Sequence, residues 1–99
     1  MIKLITWEMN RSFTPTDPAE RMKMTLQLCD MVKKHIESGV IETWGVNPGG
    51  QNGFGISEKD EKEILAMVSM YIPHVEFKVE SMLSVEEVIA TLKATQPKT

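Results

Sequence analysis

The segment Ile2 to Met9, IKLITWEM, is made of β-forming residues and is apolar on both of its alternating faces. One face carries Ile2, Leu4 and Thr6, and the other carries Ile5, Trp7 and Met9. Successive side chains of a strand point to opposite sides of its sheet, so this strand belongs at the centre and needs cover above and below. A chain of 99 residues has room for one core, hence a single domain over 1–99. The rest of the sequence has to supply those two covers.

The first cover is a helix. Asp17 stands at a cap position, Pro18 at the first helical position and Glu20 three residues after the cap. Met22, Leu26, Cys29 and Ile36 recur at helical spacing, with Met24, Leu28, Met31 and Val32 widening the stripe. Ser38-Gly39 ends it, glycine being the usual residue just past a helix. VIETWGV (Val40 to Val46) then alternates as a second strand and GFGIS (Gly53 to Ser57) forms a short third. Ser57 followed by Asp60 opens a second helix with Ile64, Leu65, Met67, Val68 and Tyr71 on its apolar side, stopped by Pro73. HVEFKVES (His74 to Ser81) is a fourth strand, with Val75, Phe77 and Val79 opposed to Glu76, Lys78 and Glu80. Ser84 with Glu87 forms a capping box for a last short helix carrying Val85, Val88, Ile89 and Leu92, before a frayed tail, TQPKT.

The order β-α-β-β-α-β plus a terminal helix predicts an α+β, ferredoxin-like domain with a four-stranded antiparallel sheet. Right-handed crossovers put both main helices on one face of that sheet. The other face is left bare in a single copy, with Trp7 or Trp44 expected there, and a homodimer is the expected cover. Because β1 is apolar on both sides, the sequence does not decide which face meets the helices.

WGVNPGGQNGFGISE, Trp44 to Glu58, holds five of the six glycines. A phosphate cradle needs a glycine turn that runs directly into a helix, and here the glycines run into a strand. Asn47-Pro48-Gly49 instead suits a type II turn and Asn52-Gly53 a second tight turn, so the stretch is a hairpin. Gly53 and Gly55 share one face of their strand. With Val46 opposite Gly53, Trp44 stands opposite Gly55 and Glu42 opposite Ser57. Either the indole covers the bare backbone, or the missing side chains leave a slot with Trp44 as wall and Glu42 as polar group.

Other candidate residues each have a plain structural alternative. His35, beside Lys33 and Lys34 in the last helical turn, suits the helix dipole and reads as a surface residue. His74 shares a strand face with Glu76, but one imidazole and one carboxylate do not fill a metal site. Cys29 reads as a core thiol, and Met22, Met24, Met31, Met67 and Met70 as adaptable packing. Arg11, just past the first strand, is the best-placed cation for an anionic ligand. No cofactor or metal motif is present.

Charged content of 25% and a net charge of −3, without a basic cluster, exclude a typical nucleic-acid binder. One cysteine allows no internal disulfide, and no stretch has the length and apolarity of a membrane span or of a signal peptide, so a cytoplasmic protein is expected.

With LITWEM at the start, ETWGVNPGGQNGFGISE in the middle and PHVEFKVESMLSVEEVI near the end, the chain resembles a family of small bacterial and archaeal proteins of unknown function in the dimeric α/β-barrel superfamily. That resemblance implies two sheets facing each other across a dimer with helices outside. The superfamily contains muconolactone-isomerase-like enzymes, cofactor-independent oxygenases of aromatic substrates and haem-binding members, and no branch's catalytic residues occur here. The expectation is therefore a homodimer that binds a small organic molecule among Trp7, Arg11, Glu42, Trp44, Gly55 and His74, with catalysis left open. The alternatives are a structural or interaction module without a small-molecule site, and an enzyme with His74 as general base.

Overall fold

A computed structural model of the chain describes residues 2–97. Four strands, β1 (Ile2–Met9), β2 (Thr43–Val46), β3 (Asn52–Ser57) and β4 (Val75–Met82), form one antiparallel sheet in the order β2-β3-β1-β4. Helices α1 (Pro18–Glu37) and α2 (Glu61–Ser69) make the two crossovers, and α3 (Val85–Ala94) follows β4. This is an α+β arrangement with the ferredoxin-like strand order, β1 lying centrally between β3 and β4. The last two residues of the expected frayed tail lie outside the described residues.

Local chemistry sets the helix starts. Asp17, Asp60 and Ser84 each accept a hydrogen bond from a backbone N–H three residues on, and Glu87 returns the bond to Ser84 in a capping box. Gly39 takes φ +83° just past α1. The β2–β3 connection differs from the expected type II turn. The Gly50 N–H bonds the Asn47 carbonyl at 2.7 Å and Gly50, rather than Gly49, carries the positive φ of +78°. The Asn47 side chain holds the turn by accepting from Gly49 N–H at 2.9 Å. Asn52-Gly53 makes no turn. Both residues are already paired in β3, opposite Glu8 and Trp7.

The register decides the two faces. Ile5 stands opposite Gly55 and Val79, Trp7 opposite Gly53 and Phe77, and Trp44 opposite Gly55, all on the side of α1 and α2. The core lies on that side: Ile5, Met24, Leu28, Ile41, Ile64, Met67, Val68, Tyr71 and Val75 are buried together. Both tryptophans therefore face the helices, not the bare side where one of them was expected. The bare side carries Ile2, Leu4, Ile56 and Met82, half-buried, and exposed Phe54, beside the charged residues of β4.

The buried stripe of α1 is Met24 and Leu28, continued by half-buried Met31, Val32 and His35. The expected stripe of Met22, Leu26, Cys29 and Ile36 lies one step around the helix and is exposed. Cys29 is thus no core thiol, and Met22 and Met70 do not pack the core. A long helix with apolar residues over more than half its circumference offers two possible phases, and the sheet below it selects one. At the far end of β1, Lys3 is buried, and its ammonium meets Glu61 Oε1 at 3.2 Å.

Candidate ligand cavity between α1 and the sheet

Gly53 and Gly55 lie two apart on the helix-facing side of β3, and their surroundings differ. A methyl group at Gly53 would run into the Gly45 carbonyl oxygen and stand 2.6 Å from Trp7 Cζ2. The Trp7 ring therefore lies flat on the Gly53 backbone. At Gly55 the nearest atoms to a Cβ would be 3.8 Å away, on Thr43 and Trp44, so a methyl group would make ordinary van der Waals contact there without a clash. Of the two alternatives weighed for these glycines, the indole that covers bare backbone is Trp7 at Gly53 rather than Trp44 at Gly55. The slot beside Gly55 is present, with Trp44 as a wall but without Glu42.

That slot belongs to a cavity of about 280 Å³. Its floor is Ile5, Trp7, Met9 and Gly55; its deep wall is Met67, Tyr71, Val75 and Phe77; its roof is Leu28 and Val32 of α1. Thr25, Cys29, Val46 and Gly50, all exposed, form the rim between α1 and the hairpin. Trp7 and Trp44 stack with ring centroids 5.5 Å apart and planes 7° from parallel, making one aromatic wall. Among the described residues no charged side chain lines the space. An ionic ligand would lose its hydration there without a partner, so the lining selects a neutral, largely apolar guest.

Two residues of this wall carry polar groups. Among the described residues, the indole N–H of Trp7 is the buried side-chain donor without a partner. An unpaired buried donor costs about 1–3 kcal/mol. The second is Tyr71, whose hydroxyl lies 2.6 Å from His35 Nδ1. Burial pushes the Tyr71 pKa up to about 12 and lowers that of His35 from the usual 6.5, so the bond joins a protonated phenol to an imidazole shifted toward its neutral form. His35 is accordingly a half-buried hydrogen-bond partner of the core, not the surface cation read from its lysine neighbours.

This pair makes stability depend on pH. Below 6.5 the unfolded chain binds the His35 proton more readily than the folded one does. Stability is complete above that value and falls as pH drops through the lowered folded pKa. Thermal melts between about pH 7 and about pH 5 should lose less Tm in a His35→Gln variant than in the wild type; parallel curves would remove His35 from the acid response.

Of the six residues expected at a site, the structure brings Trp7, Trp44 and Gly55 together on the cavity wall. Arg11 is exposed in a short 3-10 turn (Arg11–Phe13) capped by Asn10. His74 is half-buried beside that turn, with Nδ1 3.4 Å from the Phe13 carbonyl, and lines no part of the cavity. Glu42 sits outside the cavity at the surface. A hydrogen bond with Glu58 raises its pKa, with partial desolvation and the Glu58 charge adding to the shift. Sequence reasoning missed Tyr71 and Met67 as site residues. Their only signal was an apolar helix side ending in a tyrosine, which describes any packed helix. Among the described residues no group of three or more His, Cys, Asp or Glu is placed to hold a metal ion, and no helix is long and apolar enough to cross a membrane. No protein-family model and no curated protein matches the chain.

Proposed function

We propose that this chain is a cytoplasmic, homodimeric small-molecule-binding domain whose ligand is neutral, mostly apolar and about one or two rings in size. The carrying observation is the apolar cavity beside Gly55, walled by the Trp7–Trp44 stack. Its volume of about 280 Å³ is roughly twice that of an engineered cavity that holds benzene. A guest with one hydrogen-bond acceptor would pair the unpartnered Trp7 N–H once the indole shifts to expose it. Binding rather than catalysis is the better reading because the one titratable hydroxyl on the wall, Tyr71, is engaged by His35 and keeps its proton at neutral pH. Support for the homodimer is the uncovered apolar sheet face of Ile2, Leu4, Phe54, Ile56 and Met82.

The test begins with native mass spectrometry of freshly purified protein, repeated after denaturation, to detect and weigh a bound guest. Calorimetric titration with quinoline, which has one ring acceptor, and naphthalene, which has none, then probes the cavity. We expect both to bind and quinoline to bind more tightly, by about 1 kcal/mol or roughly fivefold. Gly55→Leu places a side chain in the free space above β3 and should abolish both titrations while leaving the thermal transition in place. Binding that persists in Gly55→Leu would discard this site. A protein that carries no guest and takes up neither probe would instead be the structural or interaction module, its aromatics serving packing alone.

A further inference from the structure

The molecule is more extended than its length requires. Its radius of gyration is 17.2 Å and its longest dimension 67 Å, where a compact domain of this length has a radius near ~13 Å. It exposes 7226 Å², while a compact monomer of 11.2 kDa exposes about 5,700 Å². About 1,500 Å² per chain is therefore uncovered that a folded chain of this mass ordinarily buries.

Part of that surplus lies in α3. None of its residues is buried, and its apolar side chains stand in solvent, Val85 at 64% and Leu92 at 63% exposure, with Val88 and Ile89 between them. A ten-residue helix is marginal alone in water, whatever its capping box adds, and needs a packed face to persist. Its own chain supplies none. The same chain leaves a second apolar surface open, the sheet face of Ile2, Leu4, Phe54 and Ile56. The arm departs from the border of that surface, since Met82, where β4 ends, pairs with Ile2.

We infer that α3 is an exchanged arm: in the homodimer each α3 lies on the open sheet face of a second copy of this chain. This rests on the homodimer reading above and says what builds the interface. A twofold axis makes the contact reciprocal, so each copy supplies the helix that its partner's sheet lacks and receives one in return. A different partner would have to cover two separate surfaces, whereas one copy covers both. The area agrees. Recovering about 1,500 Å² on each chain buries about 3,000 Å² in all, within the roughly 2,000–5,000 Å² of obligate homodimers. The helix is about 15 Å long, enough to cross three strands spaced about 4.8 Å apart.

The test uses the full-length chain, with light scattering and small-angle X-ray scattering for mass and shape, and a photoreactive side chain at Ile89 in dimers mixed from light and heavy-isotope protein. We expect a dimer, cross-links from Ile89 to peptides of β1 or β3 on the other isotope, and dimerisation weakened at least a hundredfold by Ile89→Asp with Leu92→Asp. Because α3 buries nothing in its own chain, that variant keeps the body folded, which circular dichroism checks. A dimer that is untouched by the variant, with cross-links within one chain only, overturns the arm and leaves the homodimer standing. A monomer with a radius near ~13 Å overturns both.

Discussion

Gly53→Ala should cost about 3 kcal/mol, a large share of the stability of a small domain, and lower Tm by roughly 12–24 °C. The cost follows from what surrounds the position. On one side is the Gly45 carbonyl oxygen, part of the β2–β3 ladder and unable to retreat without breaking it. On the other is the Trp7 ring, with Cζ2 at 2.6 Å and Cε2 at 2.7 Å from the added carbon, itself pinned by the stack on Trp44. Neither neighbour can give way cheaply. Two other glycines of the hairpin provide the scale. At Gly45 the close atom is Phe54 Cε1, also at 2.6 Å, but it belongs to an exposed ring that can swing away. Gly45→Ala should therefore cost less than Gly53→Ala. At Gly55 a methyl group meets nothing closer than 3.8 Å, and alanine should be neutral or stabilise by about 0.5 kcal/mol through the unfolded chain. Urea unfolding of the three variants at one protein concentration tests the order. Gly53→Ala and Gly55→Ala of equal stability would mean that Trp7 does not lie on the Gly53 backbone.

Trp44→Ala should remove both a packing element and the ligand wall. Truncating a buried tryptophan costs about 3–5 kcal/mol, and the half-buried position of Trp44 places its loss near the lower bound, about 3 kcal/mol. Part of that is specific to the indole pair. A double-mutant cycle with Trp7→Leu should give a coupling of about 1 kcal/mol, the range measured for stacked aromatic pairs. The same variant should weaken quinoline by about 2 kcal/mol, roughly thirtyfold, because one side of the guest would face water. Stability and affinity thus fall together here, whereas Gly55→Leu removes affinity alone. If Trp44→Ala changes neither by more than twofold in its equilibrium constant, the stacked wall carries neither packing nor binding.

Much of the cavity's frame is legible in residue order. Placing Val46 opposite Gly53 puts Trp44 opposite Gly55, and the structure has that register. A hairpin with few loop residues leaves little freedom in its pairing. Where the loop chemistry allowed more than one turn, as with Gly49 and Gly50, the choice depended on hydrogen bonds of Asn47 to both of them. The expected polar members of the site were chosen for their chemistry and nearness in sequence. Glu42, Arg11 and His74 flank the right strands, yet each sits past a strand end or at the surface, outside the cavity. Tyr71 of the wall and its hydrogen-bond partner His35 are 36 residues apart in the chain and meet only through the tertiary fold.

What the sequence determined by itself is local: where helices begin, through Asp17, Asp60 and Ser84; where α1 stops, at Gly39; and the order of strands and helices that leads to this sheet. Caps, turns and periodicity act over a few residues, so the residues that decide them are neighbours in the chain. Tertiary structure decided which side of β1 meets the helices and which stripe of α1 is buried. It also decided that the indole against bare backbone is Trp7 at Gly53, with Trp44 bordering Gly55. Those outcomes turn on competition between faces of nearly equal apolarity. The balance is struck by fitting volumes across the core, where Trp7 and Trp44 come together from distant parts of the chain.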